Sequence, residues 1–205
     1  MTPRSISGGF FLENIPLKFY LWRNSGMEKK LLLDKIHFEI VISRLCYQLI
    51  ENHDDFAESA VIGLQPRGIF LAKKIQARLS EILKTDKILL GNLDVTFHRD
   101  DYRRRDLVIP SQTKLDFIIE NKKVILTDDV LYTGRTIRAG MDALLDFGRA
   151  RKIELLTLVD RRYSRQLPIE PDYIGISVDT ITSEKVKVEW KETDGDDAVW
   201  LITGK

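Results

Sequence analysis

The sequence is poor in the residues that staple, coordinate or anchor a protein. Its 205 residues include one cysteine, Cys46, so no disulfide can form within the chain. Leu45, Leu49 and Ile50 surround Cys46, which reads as a buried helix residue and not a nucleophile. His37 and His53 have no second histidine or cysteine at ligand spacing, so both read as surface or capping groups. No apolar run reaches the roughly eighteen residues of a membrane span. Glu13, Asn14, Pro16 and Lys18 interrupt any secretory core near the N-terminus, and a cytoplasmic location is the default. Charge of one sign is also missing. The 32 Lys and Arg against 31 Asp and Glu give a net charge of +1, which excludes a strongly basic surface overall but leaves a local patch open. There is no internal repeat. The length fits one α/β domain with an appendage.

The chain is organised around residues 124–136. The apolar run Val124-Ile125-Leu126 leads through Thr127 into the paired carboxylates Asp128 and Asp129. Val130, Leu131 and Tyr132 follow, then Thr133-Gly134-Arg135-Thr136. Ile137, Met141, Leu144 and Leu145 then recur at helical spacing. The order is strand, polar loop, helix start. Backbone N–H groups at a helix start lack intrahelical acceptors and favour anions. Gly134 allows close approach of a phosphate, and Thr133 and Thr136 add hydroxyls. An ordinary βα turn explains the threonine and the glycine. It does not explain two aspartates at a strand end, which cost desolvation unless something satisfies them. A sugar phosphate uses both parts: the loop takes the phosphate and the carboxylates accept from vicinal hydroxyls. The carboxylates also suit magnesium, directly or through water.

Other units surround this stretch. Residues 1–26 lack a period; either Met27 is the natural start or residues 1–26 are a loosely ordered extension. Asp34 reads as a helix cap. Ile36, Ile40, Val41, Leu45, Leu49 and Ile50 then form an apolar stripe to about Asn52. Residues 60–64 read as a buried strand. Gln65-Pro66-Arg67-Gly68 is a turn, and Leu71, Ala72, Ile75, Leu79 and Ile82 give a helix. Leu93, Val95 and Phe97 alternate with polar residues and predict a strand. A charged loop with Arg99, Arg103, Arg104 and Arg105 follows. The arginines there can serve a lid or pair with Asp100, Asp101 and Asp106. Residues 153–160 are the next strand, with Arg161 and Arg162 just past its end. Residues 165–175 run from a loop into a strand, and residues 186–190 and 198–202 give two more. These three are expected to form a small antiparallel appendage over the sheet. Trp190 and Trp200 read as core or interface residues.

The stretch 124–136 resembles the phosphoribosyl-pyrophosphate (PRPP) motif of the type I phosphoribosyltransferases. From about Met27 to Trp190 the chain is similar to the PyrR family, pyrimidine operon regulators that are also uracil phosphoribosyltransferases. Arg67-Gly68-Ile69, Arg99-Asp100-Asp101, residues 128–136, Leu167-Pro168-Ile169, Asp172-Tyr173-Ile174-Gly175 and Ser183-Glu184-Lys185-Val186 carry the likeness. The resemblance implies an α/β fold with a mainly parallel central sheet flanked by helices, a hood at about 164–205 and a flexible flap at about 98–113, in one domain over 27–205. It implies a reaction of uracil with PRPP to give UMP and pyrophosphate, with magnesium as cofactor. Arg67, Gly68 and Arg99 would meet the diphosphate. Asp128 and Asp129 would hold the ribose and, through water or substrate, the metal. Val130, Leu131, Tyr132, Thr133, Gly134, Arg135 and Thr136 would hold the nucleotide, and Arg161 and Val186 the base. Purine-salvage relatives carry an Asp where Tyr132 stands, so a pyrimidine is expected, reacting without an obvious general base.

The resemblance also implies binding of pyrimidine leader mRNA, with UMP or UTP as signal, and a homodimer or higher homo-oligomer. Ser43 and Arg44 match RNA-contacting positions of the family's first helix. Tyr47 and Asn52 stand where relatives carry His and Arg, and Glu170 and Ile176 replace basic residues. A nucleotide-sensing regulator with little turnover is the alternative reading.

Overall fold

A computed structural model describes residues 28–100, 110–181 and 183–204. The chain starts with strand β1 (Glu28–Leu33) and helix α1 (Lys35–His53). Asp34 caps α1, its Oδ1 accepting from the His37 N–H at 2.9 Å and lying 2.8 Å from His37 Nδ1. Strand β2 (Ser59–Leu64), helix α2 (Gly68–Leu83) and strand β3 (Leu89–Leu93) follow. Then come β4 (Lys123–Leu131), α3 (Arg135–Leu145), β5 (Lys152–Arg162), β6 (Tyr173–Asp179), β7 (Lys185–Glu189), a single helical turn α4 (Lys191–Asp194) and β8 (Ala198–Thr203).

Five strands form one parallel sheet in the order β3-β2-β4-β5-β6. Every residue of β2 is buried, and β4 is buried nearly throughout, as an unbroken apolar run covered on both faces requires. Val61 and Ile125 pack with Leu45 and Leu49 of α1 and Leu71, Ile75 and Leu79 of α2. Their neighbours Ile62 and Leu126 pack on the other face with Ile137, Ala143 and Leu144 of α3. The period-two alternation of the strands thus divides the core between two helical layers. After β2 the chain builds outward to β3, then returns to build β4 on β2's other side. That reversal opens a crevice at the C-terminal ends of β2 and β4, where ligands bind in open α/β sheets.

The second sheet is antiparallel, ordered β1-β8-β7. Its membership differs from expectation. The segment 173–179 joins the parallel sheet beside β5, and the hood gains β1 instead. Trp190, fully buried, stacks on Phe70 and meets Phe38 edge-on, which fixes the hood to α1 and α2. Lys74 pairs with the buried Asp197 at 2.7 Å.

Three other expectations need correction. The strand predicted over Leu93–Phe97 ends at Leu93, and residues 96–98 form a 3-10 turn. The cause is Asp94, whose Oδ1 accepts from the Thr96 N–H at 3.1 Å and the Thr96 hydroxyl at 2.7 Å, turning the chain. Ile36 and Ile40 are exposed at 70% and 59%; α1 buries Phe38, Ile42 and Cys46 with Val41, Leu45 and Leu49. His53 is buried, not a surface group. Its Nδ1 is 2.9 Å from Ser59 Oγ and its Nε2 is 2.9 Å from Glu154.

Candidate active site

The β4 strand carries Asp128 and Asp129 to the edge of the crevice, both 8% exposed. Thr127 just before them donates to the Gly68 carbonyl at 3.1 Å. Gly68 lies so close to the β4 main chain that a Cβ there would collide with the Thr127 carbonyl. This contact brings the Arg67 turn beside the carboxylates. Arg67 Nε donates to Asp129 Oδ2 at 2.8 Å, and its NH2 donates to the Val188 carbonyl of β7. Arg67 therefore joins the α2 start, the end of β4 and the hood while staying 41% exposed at the mouth.

Burial and the neighbouring Asp129 charge push the Asp128 carboxyl well above its usual value; Arg99 and Arg67 pull only partly the other way. Burial raises Asp129 as well, opposed mainly by its bond to Arg67. Two carboxyls held this way are short of positive charge. Among the described residues no cluster of three or more His, Cys, Asp or Glu side chains could hold a metal. The pair fits a magnesium ion that keeps water or substrate oxygens for its remaining positions.

Beyond Leu131 the chain turns through Gly134, whose φ of +89° is the left-handed conformation glycine favours, and α3 begins at Arg135. A cavity of about 110 Å³ opens there, lined by Arg99, Asp128, Thr133, Gly134 and Thr136 among others. Arg99 NH1 donates to Thr136 Oγ1 at 2.9 Å. Arg135 points along the rim, donating to Asp100 and, at 2.8 Å, to Gln166 Oε1. The described residues on either side of 101–109 meet at Asp94, whose Oδ2 accepts from the Ser111 N–H at 3.0 Å. Arg103, Arg104 and Arg105 lie outside the described residues, as does the extension 1–26.

Arg161 is buried at the end of β5. Its guanidinium stacks on the Tyr132 ring, 4.1 Å from the centroid. Its Nε donates to Thr180 Oγ1 at 3.0 Å and its NH2 to the Glu184 carbonyl at 2.9 Å, two residues before Val186. Of the residues named from the sequence, Tyr132 and Arg161 thus meet, with the Glu184 carbonyl on the segment leading to Val186 beside them. Arg162 is exposed and pairs with Asp179 at 2.7 Å. Val130 and Leu131 complete the strand end, Val130 half-buried and Leu131 buried.

Ser43 and Arg44 lie apart from this site. Arg44 donates to the carbonyls of Ile174 and Gly175 on β6, and Ser43 accepts from Arg78 Nε at 3.2 Å. No described helix is long and apolar enough to cross a membrane. Sequence reasoning missed Arg165 and Asp160, which hold the loop after β4 from behind. Arg165 reaches the Leu131 and Tyr132 carbonyls across more than thirty positions, which no local pattern announces.

The phosphoribosyl transferase domain family matches residues 30–193. The bifunctional protein PyrR of Actinobacillus pleuropneumoniae serotype 5b is 43% identical over 180 residues, covering 86% of this chain and 98% of its own. The corresponding protein of Enterococcus faecalis is 40% identical over 178 residues, covering 87% and 99%. In structure, the hypoxanthine phosphoribosyltransferase of Trypanosoma cruzi aligns with a TM-score of 0.64 at 13% identity, over 86% of this chain and 97% of that one. A hypoxanthine phosphoribosyltransferase of Staphylococcus aureus gives 0.62 at 20% identity, over 86% and 92%. At such identities these two likenesses speak to the type I phosphoribosyltransferase fold alone. The sequence relatives, the domain match and the crevice agree: this chain belongs to the PyrR family of phosphoribosyltransferases.

Proposed function

We propose that the protein is a uracil phosphoribosyltransferase, joining uracil to PRPP to give UMP and pyrophosphate. The observation that carries the choice of base is the Tyr132–Arg161 stack beside the acidic pair. Position 132 offers an aromatic face and a neighbouring cation, which suit a small, electron-rich ring with carbonyl oxygens. It offers no carboxylate to handle a purine ring proton. The relatives' name PyrR supports the same reading.

In this reading the loop 132–136 and the start of α3 take the 5′-phosphate. Asp128 and Asp129 accept from the ribose hydroxyls, and Arg67 and Arg99 meet the diphosphate. Uracil reacts as its N1 anion, its proton having gone to solvent, and bonds to C1′ as the C1′–oxygen bond breaks and the electron pair leaves with the diphosphate. The sugar carbon is cation-like between these events, and the buried carboxylates stabilise that charge. Magnesium, when bound with PRPP near Asp128 and Asp129, supplies further neutralisation of the diphosphate. Arg161 and the main chain near Val186 orient the base. The transferase unit spans 27–205 with its flap at 98–113, acts in the cytoplasm and works as a homo-oligomer.

A role as a UMP- or UTP-responsive regulator of pyrimidine genes rests on the family resemblance. The outer face of α1 argues for turnover over RNA contact. Ile36, Ile40 and Tyr47 are exposed there, and Arg44 is engaged by β6. A gel shift with the organism's pyrimidine leader separates the two; tight binding abolished by Arg44→Ala would establish the RNA role.

The test of the main reading is turnover with PRPP and magnesium, using uracil, orotate, hypoxanthine and guanine in separate reactions. UMP from uracil alone supports it. Product from hypoxanthine instead would transfer the assignment to a purine, and no product with any base would sink it.

A further inference from the structure

Behind the phosphate loop lies a second arginine that the reaction does not need to touch. Arg165 is 23% exposed and sits in the loop between β5 and β6. Its NH1 lies 3.2 Å from the Leu131 carbonyl, 2.6 Å from the Tyr132 carbonyl and 3.1 Å from the Arg161 carbonyl. Its Nε donates to the Ile169 carbonyl at 3.0 Å, and its NH2 donates to the buried Asp160 carboxylate. The next two residues continue the pattern. The N–H groups of Gln166 and Leu167 donate to the Thr133 carbonyl at 3.0 and 3.3 Å. The side chains of Leu167 and Ile169 close over Gly134, within 3.2–3.5 Å of where a Cβ would stand.

Three consecutive carbonyls, those of residues 131, 132 and 133, are therefore held on one side of the loop by residues 165–167. In a trans peptide the N–H points opposite to its C=O. Holding these carbonyls turns the N–H groups of Tyr132, Thr133 and Gly134 away from Arg165, on the side where Tyr132, Thr133 and Gly134 line the cavity. Successive N–H groups facing one way form an anion-binding concavity. We infer that Arg165 is the positioning residue of the phosphate loop, fixing its peptide planes from behind so that their donors meet the 5′-phosphate. The same guanidinium grips the Arg161 carbonyl and the Asp160 side chain, so it also sets the distance from this loop to the base-side end of β5. A guanidinium suits the task because its planar fork directs donors to several acceptors at once; an ammonium is a point charge with three. Asp160 balances the charge of this partly buried guanidinium.

This inference rests on the phosphoribosyl transfer proposed above, and its test separates the two. Steady-state constants for PRPP and uracil would be measured for the wild type, Arg165→Lys and Arg165→Ala, with thermal unfolding as the fold control. Binding of ribose 5-phosphate by calorimetry would run alongside, needing no turnover. The loop grips the 5′-phosphate equally in ground and transition states, so its misplacement raises KM and leaves kcat nearly unchanged. The expected result is a rise in KM for PRPP of about ten- to a hundred-fold in both variants. The KM for uracil should change much less. Ribose 5-phosphate affinity should fall in parallel, and guanidinium ion at tens of millimolar should partly restore Arg165→Ala where methylammonium does not. If Arg165→Ala fails to fold, Arg165→Lys carries the same reading. An unchanged KM for PRPP in a folded variant would overturn the inference and leave the transferase intact. A wild type without turnover, yet with Arg165-dependent ribose 5-phosphate binding, would uphold the inference and overturn the reaction.

Discussion

The two ends of the parallel sheet both bury carboxylates, and they treat them in opposite ways. At the N-terminal end Glu154 of β5 is surrounded by partners. His53 Nε2 lies 2.9 Å away, Lys152 Nζ 2.6 Å and the Tyr173 hydroxyl 3.5 Å. Burial pushes the Tyr173 hydroxyl up to about 12, so it remains a donor. At the C-terminal end Asp128 and Asp129 stand side by side, and Arg67, half outside the site, bonds Asp129 of the two. One end sets a lysine, a histidine and a tyrosine against its single buried carboxylate, although Glu154 Oε2 lacks a well-aligned hydrogen bond. The other leaves its buried charge under-compensated, which in an enzyme crevice suits the positive charge of a substrate complex. The difference teaches that burial alone does not mark a functional carboxylate; burial without sufficient partners does.

The sharpest way to break the comparison is to neutralise the C-terminal pair. Asp128→Asn/Asp129→Asn should lower turnover by about 10³-fold or more, since it removes charge aimed at the cationic sugar carbon. The same change should raise the unfolding temperature of the empty protein, because it relieves repulsion between buried carboxylates. Loss of activity with loss of stability would mean that the pair is structural. The next effect belongs to the other end. Glu154→Ala removes the buried acceptor beside His53 and the Tyr173 hydroxyl and should cost about 1–3 kcal/mol, the range for leaving buried polar groups unpaired; Lys152 is 57% exposed and adds little. In a chain of this length that is a fall in Tm of roughly 5 °C. Turnover per folded molecule should stay within about twofold, because no residue of the crevice has moved. A selective rise in KM for PRPP in Glu154→Ala would show that the two ends are coupled.

How much of this was legible in the sequence depends on the range of the interaction. The stretch 124–136 was readable because an apolar strand, two carboxylates and a glycine at a helix start are consecutive, and each has a local physical meaning. The strand 60–64, the Arg67 turn and the helix after it were readable for the same reason. His53 was not. Its partner Tyr173 lies 120 positions along the chain, and nothing near His53 announces it. The hood was half-readable: residues 186–190 and 198–202 alternate, but β1 joins them through pairings such as Thr203 with Glu28, 175 positions apart. The strand beginning at Tyr173 shows no feature that says which sheet it enters. The helix face failed more simply. Ile36 and Ile40 lie on a helical period, but α1 is covered on the side of Phe38, Ile42 and Cys46, and periodicity cannot say where a neighbour will pack. Arg165 showed only as a charged residue in a loop, since the two carbonyls it holds beside the candidate phosphate loop, those of Leu131 and Tyr132, lie more than thirty positions upstream.

The smallest expected effect, and the finest test of the contrast, is in how stability follows pH. Burial lowers the pKa of His53 below its usual 6.5; Glu154 opposes this, while Lys123 and Lys152 add to it. Ser59 and the Tyr173 hydroxyl, the other groups facing the ring, carry no charge that would reverse it. A histidine with a depressed folded pKa binds fewer protons folded than unfolded in the window just below 6.5, so stability falls as pH drops through that window. Asp128 and Asp129 act with the other sign. Their folded pKa values are raised, so they bind more protons folded than unfolded above 3.8, and stability falls as pH rises from there. Unfolding temperatures of the ligand-free protein between about pH 4 and 8 should therefore combine a loss on the acid side from one end of the sheet with a loss on the alkaline side from the other. His53→Gln should flatten the first and leave the second. Asp128→Asn/Asp129→Asn should flatten the second and leave the first. If either variant changed both limbs, the ends would share one network and the contrast between the two ends would fail.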